Sequence, residues 1–413
     1  MFVDDSKGHR AVELLKGFRV LDVSSHGAVP IAGSILADWG ADVIKIEDPE
    51  HGEIMRGSTV WGVAPPQGGS NHLYHIFNHG KRCAAINLKH ERGREALFRL
   101  AERSDVFLTS FLSGVRRRLG IDVVDVRARR PDIIYARNTG RGVQGPFAEL
   151  GGFDATSFWS RAGLADATSA PGQAMPTAMP APAFGDSQTG FALASGVLAA
   201  LLHRERTGKA VLVDTALLNT GMWTMQTAIV TATLLGTDEM RRPPRGTGAP
   251  LVNAYRTKDG RFVHLCMDQQ HYWPSFCDAV GRPEWKTDPL LASHEAREKN
   301  SAHCVKLVEE LFAERTLADW KEILAHQRGP FDPVQKVGEL ASDPQVVANG
   351  FMADIQDEVG RTLSLVAPPV QFDGARYETR RAPRHGEHTD EVLAEVGYDM
   401  DEIIQLKIDG AIH

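Results

Sequence analysis

The sequence of 413 residues predicts an α/β protein with an open sheet that carries helices on both faces, accompanied by a smaller α+β module. Three observations predict this class. β-Branched runs alternate with segments of helical period over the first half of the chain. A stretch rich in proline and glycine at 241–250 then interrupts the alternation, and a hairpin with several helices follows it.

The chain begins with a β-α-β unit. Residues 18–23 are rich in β-branched side chains, 31–39 have the spacing of a helix, and 42–47 form a second predicted strand. Two short strands that bracket a helix indicate parallel pairing with a right-handed crossover. The connection at 24–33 lacks the G-x-G-x-x-G pattern of dinucleotide-binding proteins, which argues against an NAD site.

The alternation continues through the first half. Strands are predicted at 84–88, 106–108 and 133–136, and a helix is predicted at 92–103. Residues 165–183 are rich in Ala, Pro, Thr and Met without periodicity, which predicts a long loop.

A long apolar helix marks the middle of the chain. Its apolar residues keep helical spacing over 191–202, and Gly208 follows a basic last turn. A strand at 210–214 and a second long helix at 217–235 come next.

The second unit is predicted to begin with a hairpin after the 241–250 linker. Its strands are 254–257 and 262–266, joined by the turn 258–260. Further helices are predicted at 272–280, 301–314, 317–325, 389–396 and 400–408.

Composition limits the class of function. The chain is 42% hydrophobic and 24% charged, which is ordinary for globular proteins, and its net charge of −7 argues against general nucleic-acid binding. The first residues carry no apolar signal core and 191–202 is too short to span a bilayer, so we expect a cytoplasmic protein without membrane contact. The four cysteines have no CxxC spacing, which predicts reduced thiols and neither a disulfide nor a metal site.

Asp186 is the leading candidate for chemistry. It lies between Gly185 and Ser187 at the polar start of the apolar helix, where backbone N–H groups and the helix dipole favour an anion. An aspartate has a reference pKa of about 3.9, so a nucleophilic carboxylate needs no partner base near neutral pH. The alternative interpretation is that Asp186 is an ordinary helix N-cap.

Six segments in one order resemble the class III CoA-transferases, a family that includes formyl-CoA transferase, carnitine CoA-transferase and the α-methylacyl-CoA racemases. The segments are 17–49, 77–97, 105–121, 130–146, 184–214 and 259–263, with FGDSQTG at the start of the fifth. The resemblance covers the chain from Leu15 to about Phe372. It implies a Rossmann-like large domain built from 1–225 and 336–413, a small α+β domain with its linkers at 226–335, and an interlocked homodimer.

The resemblance also implies an activity. Asp186 occupies the place of the nucleophilic aspartate in the GDSxTG segment. The implied reaction is transfer of CoA from an acyl-CoA to a free carboxylic acid, through an aspartyl anhydride and an aspartyl-CoA thioester. CoA is then a substrate, and no permanently bound cofactor is implied.

The same resemblance implies binding residues. Lys81 matches the basic position of an N-x-x-K-R segment and Arg118 the arginine of an R-x-G segment, both suited to the phosphates of CoA. The implied CoA contacts are His26, Ala28, Lys81, Phe111 and Arg118, and the implied walls of the substrate pocket are Gly27, Phe153, Asp154, Gly246 and Gly248.

Departures from the family pattern bear on the substrate. Ser110 precedes Phe111 where relatives often have asparagine, Gly27 replaces the glutamine of formyl-CoA transferase, and its glycine-rich lid is shortened to Gly246-Thr247-Gly248. These changes argue against formyl or oxalyl transfer and favour a different or bulkier acyl group.

Two alternatives remain open. The racemases place a histidine in a G-H-D segment, where this chain has Gly152-Phe153-Asp154, and Phe153 cannot carry a proton. The transferase hypothesis is therefore preferred. A CoA-binding homologue without activity is the third possibility, because a fold alone does not prove function.

Overall fold

The computed structural model describes residues 13–238, 240 and 246–413. The chain divides into two compact units, one drawn from the segments before 241 and after 343, the other from 241–343. Half of the predicted linker, 241–245, lies outside the described residues. Among those that are described, no helix combines the length and apolar character needed to cross a membrane.

The larger unit is built on a six-stranded parallel sheet, which confirms the α/β prediction. The spatial order is β3-β2-β1-β4-β5-β6, so the order reverses between β1 and β4. The strands are β1 (Arg19–Val23), β2 (Asp42–Glu47), β3 (Arg82–Ala85), β4 (Val106–Thr109), β5 (Ile134–Thr139) and β6 (Leu212–Ala216).

Helices cover both faces of this sheet. The helices before the second unit are α1 (Ala28–Asp38), α2 (His72–Asn78), α3 (Glu91–Glu102), α4 (Ser113–Leu119), α5 (Val123–Arg129), α6 (Leu164–Ala167), α7 (Phe184–Thr207), α8 (Leu217–Thr224) and α9 (Gln226–Leu235). Because side chains alternate along a strand, Leu21 and Phe107 belong to the core under α3, whereas Val20 and Leu108 belong to the core under α1 and α7.

Two helices differ from their predicted bounds. Helix α7 begins seven residues before the apolar run that predicted it, and it ends at Gly208 in a left-handed conformation (φ 69°). The single helix predicted at 217–235 is two helices, because Met225 between them leaves helical geometry (φ −96°, ψ 8°).

The smaller unit pairs a three-stranded antiparallel sheet with a helical layer. The predicted hairpin is confirmed, since Tyr255 pairs with Val263 across it. Its elements are β7 (Val252–Arg256), β8 (Phe262–Cys266), α10 (Trp273–Ala279), α11 (His294–Lys299), α12 (Ser301–Phe312), α13 (Leu317–Leu324) and β9 (Phe331–Pro333).

The C-terminal segment returns to the larger unit. Val392, Leu393 and Leu406 are buried in the same core as Leu21 and Phe107. The remaining elements are α14 (Pro344–Asn349), β10 (Met352–Gln356), β11 (Thr362–Val366), α15 (Thr389–Glu395) and α16 (Met400–Ile408).

Candidate active site

A cleft of about 240 Å³ opens at the carboxyl ends of β1, β4 and β5. Ligands of open α/β sheets bind where the strand order reverses, and here that point lies between β1 and β4. The loops after these strands supply most of the lining, and α7 adds Asp186. The predicted site residues in the lining are His26, Gly27, Ala28, Phe111, Phe153 and Asp186.

The carboxylate of Asp186 lies directly against Gly27. A Cβ atom placed on Gly27 would be 2.2 Å from Asp186 Oδ2, so only a residue without a side chain allows this approach. The backbone N–H of Ala28, the first residue of α1, is close enough to the same carboxylate to favour its ionised form and lower its pKa. The structure therefore brings Asp186 to the N-terminus of α1 as well as placing it in the first turn of α7.

Asp186 is not the N-cap of α7, so that alternative interpretation was wrong. The residue before the helix, Ala183, has φ 61° and offers no side-chain cap. Asp154 takes this role from a π-helical turn, because its Oδ1 accepts the N–H of Gly185 at 2.9 Å. Another segment thus supplies the cap of α7, and Asp186 lines the cleft instead of capping the helix.

Asp154 is placed differently from the prediction. It is buried behind the start of α7 and is absent from the lining of the cleft, because its carboxylate is turned toward the helix N–H groups. Burial raises the pKa of Asp154, and the backbone N–H groups of 184–186 oppose that rise. Asp154 therefore acts on the site through Asp186.

The pKa of Asp186 is raised from 3.8 to about 7. Burial is the largest cause, the nearby charge of Asp154 adds to it, and the N–H of Ala28 opposes both. The sequence predicted a carboxylate that is fully ionised at neutral pH. The structure corrects this prediction, because the surroundings of Asp186 remove water from its carboxylate and place a second carboxylate nearby.

His26 and Phe153 face each other in the cleft. Their ring centroids are 5.3 Å apart, and Phe153 as a whole residue is 59% exposed. His26 adopts φ 73°, a left-handed conformation that is uncommon outside glycine, and its Nδ1 lies 2.9 Å from the Ser25 hydroxyl. Phe153 occupies the position that carries histidine in the racemases, and its apolar ring lies beside His26.

The structure contradicts the prediction that Lys81 binds phosphate. Its side chain is fully buried, and Nζ donates to Asp22 Oδ2 at 2.7 Å, to the Pro30 carbonyl at 2.7 Å and to Asn78 Oδ1 at 2.9 Å. The ammonium has no direction left in which to meet a ligand. It lies inside the larger unit, where it neutralises Asp22.

Arg118 stays a predicted CoA contact. It is exposed on α4, one turn beyond Val115, which lines the cleft. Gly246 and Gly248 belong to the smaller unit and have φ of 88° and 85°, values that favour glycine. Their assignment to the substrate pocket stays a prediction.

Two polar residues support the loops of the cleft in a way that the sequence did not predict. Ser110 Oγ accepts the N–H of Ser25 at 3.0 Å and thereby joins the loops after β1 and β4. Glu53 Oε1 accepts the N–H of His26 at 3.0 Å. Ser110 had a usable signal, because it directly follows a strand at the point of reversal, whereas Glu53 had none.

Away from the cleft, His75, Asp357 and Glu358 place ligand atoms within 4.8 Å of one another. His75 Nε2 already lies 2.8 Å from Glu358, and Asp357 accepts from Arg361 Nε at 2.9 Å. The three side chains therefore already have close partners within the protein, and the group carries no further assignment. Three of the four cysteines are buried free thiols, and Cys266 is an exposed one.

The fold and the cleft define an α/β protein with a Rossmann-type strand order whose candidate reactive group is an aspartate at a helix start. Residues 15–389 match the model of CoA-transferase family III, and the chain belongs to this family.

Known relatives match along nearly their whole length. The chain is 33% identical to the (R)-2-hydroxy-4-methylpentanoate CoA-transferase of Clostridioides difficile, over 95% of this chain and 98% of the relative. It is 29% identical to the cinnamoyl-CoA:phenyllactate CoA-transferase of Clostridium sporogenes, over 96% of each. A crystal structure of a CAIB/BAIF family protein from Brucella suis matches with a TM-score of 0.79 and 28% identity, over 92% of this chain and 99% of that one.

Proposed function

We propose that this protein is an acyl-CoA:carboxylate CoA-transferase in which Asp186 is the covalent nucleophile. One observation carries the proposal: the Asp186 carboxylate borders a cleft at the point of strand reversal, held against Gly27 and the N-terminus of α1. Family membership supports the class of reaction. The relatives are named for several different acids. Their names therefore do not identify the donor and acceptor acids of this chain, which must be determined by experiment.

The first half-reaction begins when an Asp186 oxygen attacks the thioester carbonyl of the donor. The C–S bond breaks, CoA leaves as a thiolate, and a mixed anhydride remains on Asp186. The thiolate then attacks the aspartyl carbonyl of the anhydride. The donor acid leaves with one oxygen that belonged to Asp186, and a β-aspartyl-CoA thioester is formed.

The second half-reaction reverses these steps with the acceptor. Its carboxylate attacks the aspartyl thioester, CoA thiolate leaves, and a new anhydride forms. The thiolate attacks the acceptor carbonyl, which yields the new acyl-CoA and regenerates Asp186 with one oxygen from the acceptor. No proton, electron or water is consumed, so the energy of the thioester is conserved.

The environment of Asp186 suits this sequence. A pKa of about 7 leaves a large fraction of the group ionised at neutral pH while making it a stronger nucleophile than an ordinary aspartate. The N–H of Ala28, at the N-terminus of α1, is available to stabilise negative charge that develops at the aspartyl carbonyl.

We propose that CoA binds along the rim of the cleft. Phe111 and Val115 provide apolar surface for the pantetheine arm, and the exposed Arg118 on the same helix as Val115 provides charge for phosphates. The ring of Phe153 offers apolar surface to the acyl group.

Trapping with hydroxylamine tests the nucleophile. The protein is incubated with a panel of acyl-CoA donors and then with hydroxylamine, and its peptides are analysed by mass spectrometry. An aspartyl hydroxamate at Asp186 is expected for a transferase. Transfer activity that persists in Asp186→Ala would reject the assignment, and a protein that binds CoA but shows neither label nor transfer would be an inactive homologue.

One observation favours a second candidate, an acid–base enzyme of the racemase type. A carboxyl group with a pKa of about 7 is well suited to exchanging protons at neutral pH. A 2-methylacyl-CoA incubated in deuterated water distinguishes the two. Incorporation of deuterium at the α-carbon without an Asp186 hydroxamate would favour the racemase.

We also propose that the protein is a homodimer of the interlocked type implied by the family resemblance. Helix α9 has no buried residue, and Val230, Leu234 and Leu235 on it are between 57% and 81% exposed. Exposed apolar side chains grouped on one helix are typical of an interface. Analytical ultracentrifugation tests the assembly, and a monomer at micromolar concentration would contradict it.

A further inference from the structure

We propose that the buried Lys45–Glu53 ion pair is a positioning element, which holds the backbone of the loop 24–27 in the conformation that sets Gly27 against Asp186. The inference rests on the proposed function of Asp186 for its catalytic consequence. The structural part of the claim stands on the contacts of the loop itself.

The pair contacts the loop at two backbone groups. Lys45 Nζ lies 3.1 Å from Glu53 Oε2, and both side chains are almost fully buried. Lys45 donates to the carbonyl of Ser24 at 2.5 Å, and Glu53 Oε1 accepts the N–H of His26 at 3.0 Å. One ion pair therefore holds a carbonyl and an N–H two residues apart.

The loop needs such support. His26, a residue with a Cβ atom, has φ 73°, and this conformation persists only where the surroundings determine it. The N–H bound by Glu53 is that of His26 itself, and Gly27 follows immediately. Release of this N–H allows His26 to move to an ordinary conformation, which displaces Gly27 and the N–H of Ala28 from Asp186.

A second buried pair anchors the other side of Gly27. Asp22 and Lys81 are joined at 2.7 Å, and Lys81 also donates to the carbonyl of Pro30 in the first turn of α1 at 2.7 Å. Asp22 lies 3.8 Å from Lys45, so the two pairs form one group with two charges of each sign. When apolar residues replace both Lys45 and Glu53, the negative charge of Asp22 and the positive charge of Lys81 still neutralise each other.

The double variant Lys45→Met/Glu53→Leu is designed on this balance. It removes the loop contacts without leaving an unpaired charge, a replacement that buried ion pairs often tolerate. Lys45→Met/Glu53→Gln is the conservative partner, because it is balanced in charge like the first double variant and its amide oxygen still accepts from His26. A displacement of about 1 Å at a reacting group costs on the order of 100-fold in rate.

Asp105 and Arg204 supply a matched control. They form an ion pair of 2.8 Å in which both side chains are largely buried, at the amino end of β4 and thus on the opposite edge of the sheet from the cleft. Asp105→Leu/Arg204→Met removes a pair of the same charges at a distance from the loop, and therefore measures the effect of lost stability alone.

Two readouts are taken on each purified full-length protein: hydrogen–deuterium exchange of the peptide that contains 24–29, and the rate of hydroxylamine-trapped acylation of Asp186. We expect faster exchange in this peptide and acylation slowed on the order of 100-fold in the double variant, with a KM for acyl-CoA within a few-fold of wild type. Lys45→Met/Glu53→Gln should recover most of the rate, and the control variant should change neither readout.

The outcomes separate the two claims. Unchanged exchange at 24–29, or an acylation rate in the double variant equal to that of the control, would overturn the positioning role. If wild type shows no acylation of Asp186 at all, the proposed function fails, and faster exchange at 24–29 in the double variant would still establish that the pair holds the loop.

Discussion

Replacing Asp186 with asparagine should stabilise the protein at alkaline pH. The pKa of Asp186 is 3.8 in the unfolded chain and about 7 in the folded one, so the folded protein bears a cost for ionising this group. Below pH 3.8 both states are protonated and the cost is absent; it grows as pH rises and is complete above about pH 7. Asparagine has the same shape and carries no charge at any of these pH values.

The size of the effect follows from the shift. A rise from 3.8 to about 7 corresponds to about 4 kcal/mol between the two protonation states. Asp186 is partly open to the cleft, so solvent screening reduces this value, and we expect a gain of about 2 to 3 kcal/mol at pH 8. A gain of this size exceeds what most single substitutions produce.

Urea unfolding of wild type and Asp186→Asn at pH 4.5 and pH 8 measures the gain. About a quarter of the gain is already present at pH 4.5, so the difference in unfolding free energy between the two proteins should increase by about 1.5 to 2 kcal/mol between these pH values. Asp166→Asn, at an exposed position on α6, is the control for the substitution itself. A difference that stays constant with pH, or a variant that loses stability at pH 8, would refute the account of the Asp186 environment.

Three further substitutions test the geometry. Gly27→Ala should reduce acyl transfer on the order of 100-fold, because the new Cβ occupies the space of Asp186 Oδ2. Asp154→Asn should keep the cap of α7 but lower the pKa of Asp186, so the acidic limb of the pH–rate profile for acylation should move to lower pH. Lys81→Met should lower the unfolding free energy by about 3 to 5 kcal/mol, because it leaves the buried group of Asp22, Lys45 and Glu53 with one unbalanced negative charge, while the KM for acyl-CoA of the folded protein stays unchanged.

Each of these substitutions has a control or a contrary result. Gly57→Ala adds a Cβ where no atom lies within 4 Å, and it should leave the transfer rate near wild type. Equal losses at Gly27 and Gly57 would contradict the steric argument. A pH–rate profile that does not move in Asp154→Asn would remove Asp154 as a cause of the raised pKa. A large rise in KM with full stability in Lys81→Met would restore the predicted phosphate contact.

The strands and the placement of the candidate nucleophile follow from local patterns in the sequence. β-Branched runs such as 18–23 and 42–47, which bracket a helix, predict the parallel sheet, and the polar start of the apolar helix singles out Asp186. Helix α7 begins before the apolar run that predicts it, because 184–190 lack apolar spacing and the cap comes from Asp154, about thirty residues earlier in the chain.

The features that the sequence did not reveal depend on burial and on contacts between distant segments. Lys81 is a surface cation by its residue type, and only the packing of α1 and β1 around it encloses the ammonium with Asp22. The pKa of Asp186 depends on desolvation and on Asp154, neither of which has a local pattern. The bond from His26 to Glu53 likewise joins residues that no motif connects.

A single turnover with an acceptor acid whose carboxylate carries a heavy oxygen isotope tests whether Asp186 forms a covalent bond to the acyl group. The protein is first converted to the aspartyl-CoA thioester by an unlabelled donor, the labelled acid is added, and the peptide that contains Asp186 is analysed by mass spectrometry. If Asp186 is the covalent nucleophile, one labelled oxygen appears in the Asp186 carboxylate as the new acyl-CoA forms. Formation of acyl-CoA without label in this peptide would contradict this role, since the acyl groups would then exchange without ever being bound to Asp186.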